Sequence, residues 1–269
     1  MTRREAMVRV GAGSLFALGL GSGARSSPAN AGDLRFSFIV VNDLHHATPE
    51  CDPYFAALVR QMKTHRGVEL VLVAGDLADD GKRANLEAVR DAFRGLGVPF
   101  YPVIGNHDYE PPADRRAYEE VFPGRINYEF EHQGWQFIGL DSTQGTDYQG
   151  TRIPRATLGW LEAALPKLDR RKPAVVFTHF PLGEGAPMRP LNAAEVLQRF
   201  AGFNLQGGFG GHHHGLTVRA CGSAEVVTNR CCSRLRNNHD GSKEKGYWLV
   251  TAEAGRLTRE FVEFKPPGA

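Results

Sequence analysis

Three apolar runs constrain this chain most, because each one ends abruptly on a polar cluster. Residues 34–41 run into Asn42-Asp43-Leu44-His45. Residues 68–74 run into Gly75-Asp76-Leu77-Ala78-Asp79, and residues 98–104 into Gly105-Asn106-His107-Asp108. A short run that is apolar on both faces reads as a buried strand. Between the runs lie two helical patterns, residues 54–63 and the amphipathic residues 85–96, the second closed by Gly95 and Gly97. The order βαβαβ predicts parallel strands with helices packed on the sheet.

The second half continues the alternation. Residues 126–131 and 135–140 read as a hairpin around His132-Gln133-Gly134. Residues 157–168 and 193–200 have helical spacing, and residues 174–178 form an apolar strand. After His214 the pattern turns to strands at residues 216–219, 224–228, 247–252 and 257–264. A mixed chain ending in antiparallel strands predicts a layered sandwich of two sheets flanked by helices. Hydrophobic residues make up 42% and charged residues 23% of the 269, enough for a large core and unlike a disordered chain. No repeat, low-complexity tract or Pro/Ser-rich linker divides residues 32–269, so one domain is expected there.

Two more segments end on metal-binding residue types: Thr178-His179-Phe180-Pro181, and a Gly-rich stretch ending Gly211-His212-His213-His214. Ligands of open α/β sheets collect beyond the carboxyl ends of strands. Five such ends bringing Asp, His and Asn to one edge supply what a metal cluster needs. Imidazole mixed with carboxylate and amide oxygen suits Zn, Mn or Fe. Seven donors, Asp43, His45, Asp76, Asn106, His179, His212 and His214, exceed what one tetrahedral ion takes. Two ions sharing a bridging carboxylate account for the number. Singly each motif is weak: an Asp after a strand is commonly a cap or turn residue, His179 alone reads as a buried histidine, and the His run reads as an exposed loop. The ordered set carries the inference.

That set, Asp43-x-His45, Gly75-Asp76-x-x-Asp79, Gly105-Asn106-His107-Asp108, His179-x-Pro181 and Gly211-His212-x-His214, resembles the calcineurin-like metallophosphoesterases over residues 36–214. The resemblance implies an α/β fold, a four-layer αββα sandwich of two mixed β-sheets flanked by helices. It implies one ion on Asp43, His45 and His214, a second on Asn106, His179 and His212, and Asp76 bridging them. His107 is then not a ligand but the group that supports the leaving oxygen, oriented by the Asp79 side chain, and Asp108 is structural. His213 points away, since alternate residues of an extended segment face opposite sides. Two ions about 3.5–4 Å apart lower the pKa of a shared water from about 15.7 toward roughly 7, giving a bridging hydroxide that attacks phosphorus in line. General acid help from His107 is worth ~10²–10⁴ in rate.

Departures from subfamily patterns narrow the resemblance. Purple acid phosphatases carry Tyr at the place of Asp79 and lack the His45 donor. Protein Ser/Thr phosphatases have Arg and Glu where this chain has Asp80-Gly81 and Asp108. Large exported nucleotidases add a C-terminal domain. The remainder is similar to small bacterial phosphodiesterases acting on cyclic nucleotides or glycerophosphodiesters; the alternatives are a phosphomonoesterase or a non-catalytic metal-binding member. A small-molecule phosphoester is the expected partner, with residues 141–155, 183–189 and 230–238 as candidate substrate loops; Arg230, Arg234 and Arg236 read either as phosphate binders or as solvated surface arginines, and His46 is a candidate substrate contact.

The N-terminus reads as a twin-arginine-like export signal over residues 1–31. Arg3-Arg4 precedes an apolar run, and Ala29-Asn30-Ala31 closes it. The expected location is therefore periplasmic or extracellular, with no stable membrane span after signal removal. The full chain holds 32 basic and 30 acidic residues. Residues 1–31 hold Arg3, Arg4, Arg9 and Arg25 against Glu5, leaving 28 basic and 29 acidic residues beyond them. That balance lacks the basic stripe of a nucleic-acid binder. The cysteines, Cys51, Cys221, Cys231 and Cys232, form no C-x-x-C pair; either Cys221 bonds to Cys231 or Cys232, or all are buried thiols.

Overall fold

The computed structural model describes residues 35–266; the expected export leader lies outside them. Along the described residues run β1 (Phe36–Val41), α1 (Asp52–Met62), β2 (Val68–Ala74), α2 (Arg83–Arg94), β3 (Phe100–Val103), α3 (Arg116–Val121), β4 (Tyr128–His132), β5 (Trp135–Leu140), α4 (Arg155–Ala164), β6 (Ala174–Thr178), α5 (Ala193–Arg199), β7 (Leu205–Gly210), β8 (Thr217–Cys221), β9 (Ala224–Thr228), β10 (Lys245–Glu253) and β11 (Arg256–Phe264). The first sheet has the order β11-β10-β1-β2-β3 and the second β4-β5-β6-β7-β9-β8. β1, β2 and β3 are parallel to one another, as are β5, β6, β7 and β9. Both sheets are mixed: in the first, β10 runs antiparallel to its neighbours β1 and β11, and in the second, β4 and β8 run antiparallel to β5 and β9.

Each sheet is covered on both faces, which is why its central strands are apolar throughout rather than alternating. Phe36, Phe38 and Val40 of β1 point between the sheets, where Trp135, Phe137, Phe177, Phe209 and Trp248 meet them. The Phe38 ring stands edge-on to Phe137 at 5.5 Å and to Phe209 at 6.0 Å, a favoured aromatic arrangement. Ile39 and Val41, one residue out of phase, point to the helix side with Phe55 and Leu58 of α1 and Leu86, Val89 and Phe93 of α2. On the far side, Leu158 and Leu161 of α4 and Val196 of α5 cover Ile138, Leu140 and Val176. Three core clusters thus join four layers, the αββα sandwich expected.

Two elements were not anticipated as such. The Gly-rich stretch is a full strand, β7, with the sequence LQGGFG. Its glycines make room for neighbours: a Cβ on Gly207 would stand 2.9 Å from Leu257, and one on Gly208 3.1 Å from Val226. The short helix α3 packs Tyr118 and Val121 into the helix-side core. All four cysteines are free thiols, so the disulfide alternative does not hold. Cys221 packs on the α4/α5 side while Cys232 lies in the α1/α2 cluster, with both sheets between them. Among the described residues no helix is long and apolar enough to cross a membrane.

Candidate metal centre

The parallel strands of both sheets deliver their carboxyl ends to one edge. β1 leads to Asp43 and His45, β2 to Asp76, β3 to Asn106, β6 to His179 and β7 to His212 and His214. The backbone there is unusual. Asp43 (φ 51°), His45 (49°), Asp76 (52°), His212 (63°) and His214 (48°) all occupy the left-handed region that L side chains rarely adopt. Such strain persists where the surroundings over-determine it, and it clusters at functional sites. Two glycines permit the crowding: a Cβ on Gly75 (φ +82°) would lie 2.4 Å from His179 Nδ1, and one on Gly105 would lie 2.1 Å from Asp76 Oδ1.

The seven candidate donors fall into two groups that share one residue. In the first, His214 Nε2 lies 3.2 Å from Asp43 Oδ1 and 3.3 Å from His45 Nε2, which is 3.5 Å from Asp76 Oδ2. In the second, His179 Nε2 lies 3.3 Å from Asp76 Oδ1, 3.1 Å from Asn106 Oδ1 and 3.2 Å from His212 Nδ1. All seven are buried. Asp76 addresses one group with each carboxylate oxygen, and Asp43, His45, Asp76 and His214, like Asp76, His179 and His212, bring one ligand atom each to within 4.8 Å of the others.

Each imidazole is braced at its other nitrogen. His179 Nδ1 donates to the Ala74 carbonyl (3.0 Å), His212 Nε2 to that of Tyr148 (2.9 Å), His214 Nδ1 to that of Asn237 (3.0 Å), and His45 Nδ1 to Asp79 Oδ1 (3.0 Å). This fixes the tautomer and leaves the inward nitrogen with a lone pair, the arrangement that metal-ligating histidines require. Asp108 stitches the two neighbouring strand ends together, accepting from the N–H of Ala78 and of Gly105 at 2.8 Å each. Burial and the Asp76 charge push its pKa up to about 8, yet both its oxygens are acceptors, the role of a carboxylate.

The electrostatics show what the cluster wants. Burial raises the Asp43 pKa, but His214 and His179 more than offset it and hold it at about 2. Burial likewise opposes ionisation of Asp76, and His179, His107 and His45 outweigh it. In return Asp76 and Asp43 overcome burial to raise His179 to about 9, and Asp43 overcomes it to raise His214 to about 11. Burial and His179 lower His212 to about 4. Without cations, the buried carboxylates thus favour a proton on His179 and on His214, one imidazole of each group. Divalent ions fit this donor set. Because a ligand imidazole must be neutral, loading at pH 7.5 is expected to release about two protons per chain, one each from His179 and His214, and metal affinity rises with pH. Titrating metal into weakly buffered protein with a pH indicator checks this; loading without proton release would contradict it.

The remaining expectations divide. His107 lines the same cavity as His45, Asp76, His212 and His214, and its ring meets that of His45 edge-on at 4.8 Å. Its orienting contact is not the Asp79 carboxylate, however. His107 Nδ1 donates to the Asp79 backbone carbonyl at 3.0 Å, while the carboxylate is taken by His45 and Arg236. His213 belongs to neither donor group. His46 does not reach the cavity: it is buried, stacks on Phe55 and bonds Asn85 and Asp52, so it is structural. Arg230 is held by Asp240 and Glu244 outside the cavity and Arg234 is exposed; of the three arginines only Arg236 lines the cavity. That cavity, about 430 Å³, is completed by Tyr148, Met188, Leu235, Asn237 and His239.

A layered α/β sandwich with a buried His/Asp/Asn cluster on one strand edge is an architecture able to hold metal ions. Residues 36–216 match the calcineurin-like phosphoesterase family, and the chain belongs to it. A protein of Synechococcus sp. named a probable cyclic nucleotide phosphodiesterase is 32% identical over 160 residues, 56% of this chain and 60% of that one. The glycerophosphodiester phosphodiesterase of Enterobacter lignolyticus is 26% identical over 177 residues, 60% of this chain and 61% of that one. The chain thus spans 60–61% of the length of these relatives. Among solved structures, purple acid phosphatase PPD1 from yellow lupin seeds is alike in fold, with a TM-score of 0.65 at 13% identity over 88% of this chain and 53% of that one.

Proposed function

We propose that the chain hydrolyses phosphodiester bonds of small molecules, with one divalent ion held by Asp43, His45 and His214, a second by Asn106, His179 and His212, and Asp76 shared. The single observation that carries this is the division of the Asp76 carboxylate, Oδ1 toward His179 and Oδ2 toward His45. The names of the two relatives support a diester over a monoester, and the mixed donors suit Mn, Fe or Zn. The motif at residues 1–31 supports export.

Two ions so held supply positive charge against the phosphoryl oxygens and a nucleophile at neutral pH. The protein's part is positional and protic. His107 Nδ1–H is committed to the Asp79 carbonyl, so in the imidazolium form Nε2–H is the group left to give a proton to the departing alkoxide, leaving the neutral ring. The His107 backbone N–H donates to Asp76 Oδ1 at 2.9 Å, tying the residue that carries the proton donor to the shared carboxylate. Buried walls on β1, β2, β6 and β7 keep these groups fixed, so little reorganisation accompanies reaction.

Assays with bis(p-nitrophenyl) phosphate and p-nitrophenyl phosphate after Mn²⁺ loading test the reading. Faster turnover of the diester is the expected result. Silence on both, and on cyclic nucleotides, glycerophosphodiesters, phospholipid head groups and nucleotide sugars, with metal shown to be bound, would overturn it.

A further inference from the structure

The segment between β9 and β10 crosses the donor edge and is tied down along its length. The N–H groups of Leu235 and Arg236 donate to Ser233 Oγ, both at 3.1 Å. Asn238 accepts from the Cys231 N–H and donates to the Ser242 and Glu244 carbonyls. Lys245 Nζ holds the Arg236 carbonyl, the Asn237 carbonyl braces His214, and the His239 N–H donates to the His214 carbonyl. A loop ordered in this way loses little further freedom when a ligand arrives.

What the loop presents is Arg236. Among the described residues it is the one lysine or arginine lining the donor cavity, and its side chain is 42% exposed. Its Nε and one terminal nitrogen grip Asp79 Oδ1 at 2.8 and 2.6 Å. Its other terminal nitrogen, Nη1, has no partner among the described residues. Asp79 also receives His45 Nδ1 on that oxygen and His107 Nδ1 on its carbonyl. The guanidinium, the proposed proton donor and one candidate metal ligand therefore surround a single residue. A planar guanidinium held on one edge keeps its other edge available for phosphate oxygens.

The geometry points to Arg236 as the residue that binds the phosphoryl group of the substrate beside the two-ion site, through Nη1 and without giving up Asp79. This assignment rests on the phosphoesterase reading. The competing role is a brace that merely positions Asp79 and, through it, His45.

Calorimetric titration of orthophosphate into Mn²⁺-loaded wild type, Arg236→Ala and Arg236→Lys separates the two roles, with metal content measured on each sample. Arg236→Ala is expected to bind orthophosphate about ten-fold or more weakly, the loss of a charge-assisted bond, while keeping the metal content of wild type. Arg236→Lys recovers part of the affinity. On the best diester, KM should rise with the phosphate dissociation constant while kcat changes less. Orthophosphate binding unchanged in Arg236→Ala would overturn the assignment, and so would loss of metal in step with phosphate, the mark of the brace. If wild type turns over diesters while Arg236→Ala binds phosphate normally, only the Arg236 assignment falls. If loaded wild type neither binds orthophosphate nor hydrolyses any ester, both readings fall.

Discussion

Asp76→Asn is expected to lower bound metal from two ions per chain to one at most, and to reduce turnover on the order of 10³-fold or more. The side chain is fully enclosed, 1% exposed, and its two oxygens address opposite donor groups. An amide keeps the shape, so the fold should survive, but it removes the negative charge between two cations and puts an N–H₂ against one set of donors. The same substitution also reaches the backbone of His107, whose main-chain N–H bonds Asp76 Oδ1. His214→Ala provides the contrast, since His214 lies in one group alone and its loss should empty one site. Elemental analysis beside a thermal melt and a diester assay reads all three quantities. Two retained ions in Asp76→Asn would show that the carboxylate does not bridge.

His107→Ala should lower kcat by roughly 10²–10⁴-fold while leaving both ions in place. His107 is absent from the two donor groups built on Asp76 and stands at the cavity wall with its Nδ1 already bonded. If its work is to protonate the departing oxygen, the penalty depends on that oxygen. A p-nitrophenolate leaves without help, whereas an alkoxide such as that of a glycerophosphodiester needs the proton. The substitution should therefore cost far more on alkyl than on nitrophenyl esters. Equal losses on both would assign His107 to charge stabilisation instead, and a loss of metal would make it a ligand.

Much of this was legible in the chain because the strands that build the site are covered on both faces. β2, β6 and β9 stand where their apolar runs predict, and the polar cluster soon after each of β1, β2 and β3 marks the region where it ends. The donors were legible because only a few residue types bind metal and they fall at strand ends. The supports were not. Three of the four histidine braces are backbone carbonyls, those of Ala74, Tyr148 and Asn237, and any residue can supply a carbonyl. The same blindness explains Asp79: a side chain was expected at His107, and a main-chain oxygen is there. β7 lacked a strand signature because its glycines yield space to Leu257 and Val226. His46, one position beyond a candidate ligand, does not follow it into the cavity, because the left-handed turn at His45 redirects the chain and sends His46 to Phe55, Asn85 and Asp52.

Seven side chains from both sheets are expected to enclose a pair of cations. Elemental analysis of the purified chain after dialysis against Mn²⁺ or Zn²⁺ tests this most directly. Two ions per chain, removable with chelator and halved by His214→Ala, is the predicted result. A folded wild type that retains no ion, or whose metal content ignores substitution of these residues, would contradict it.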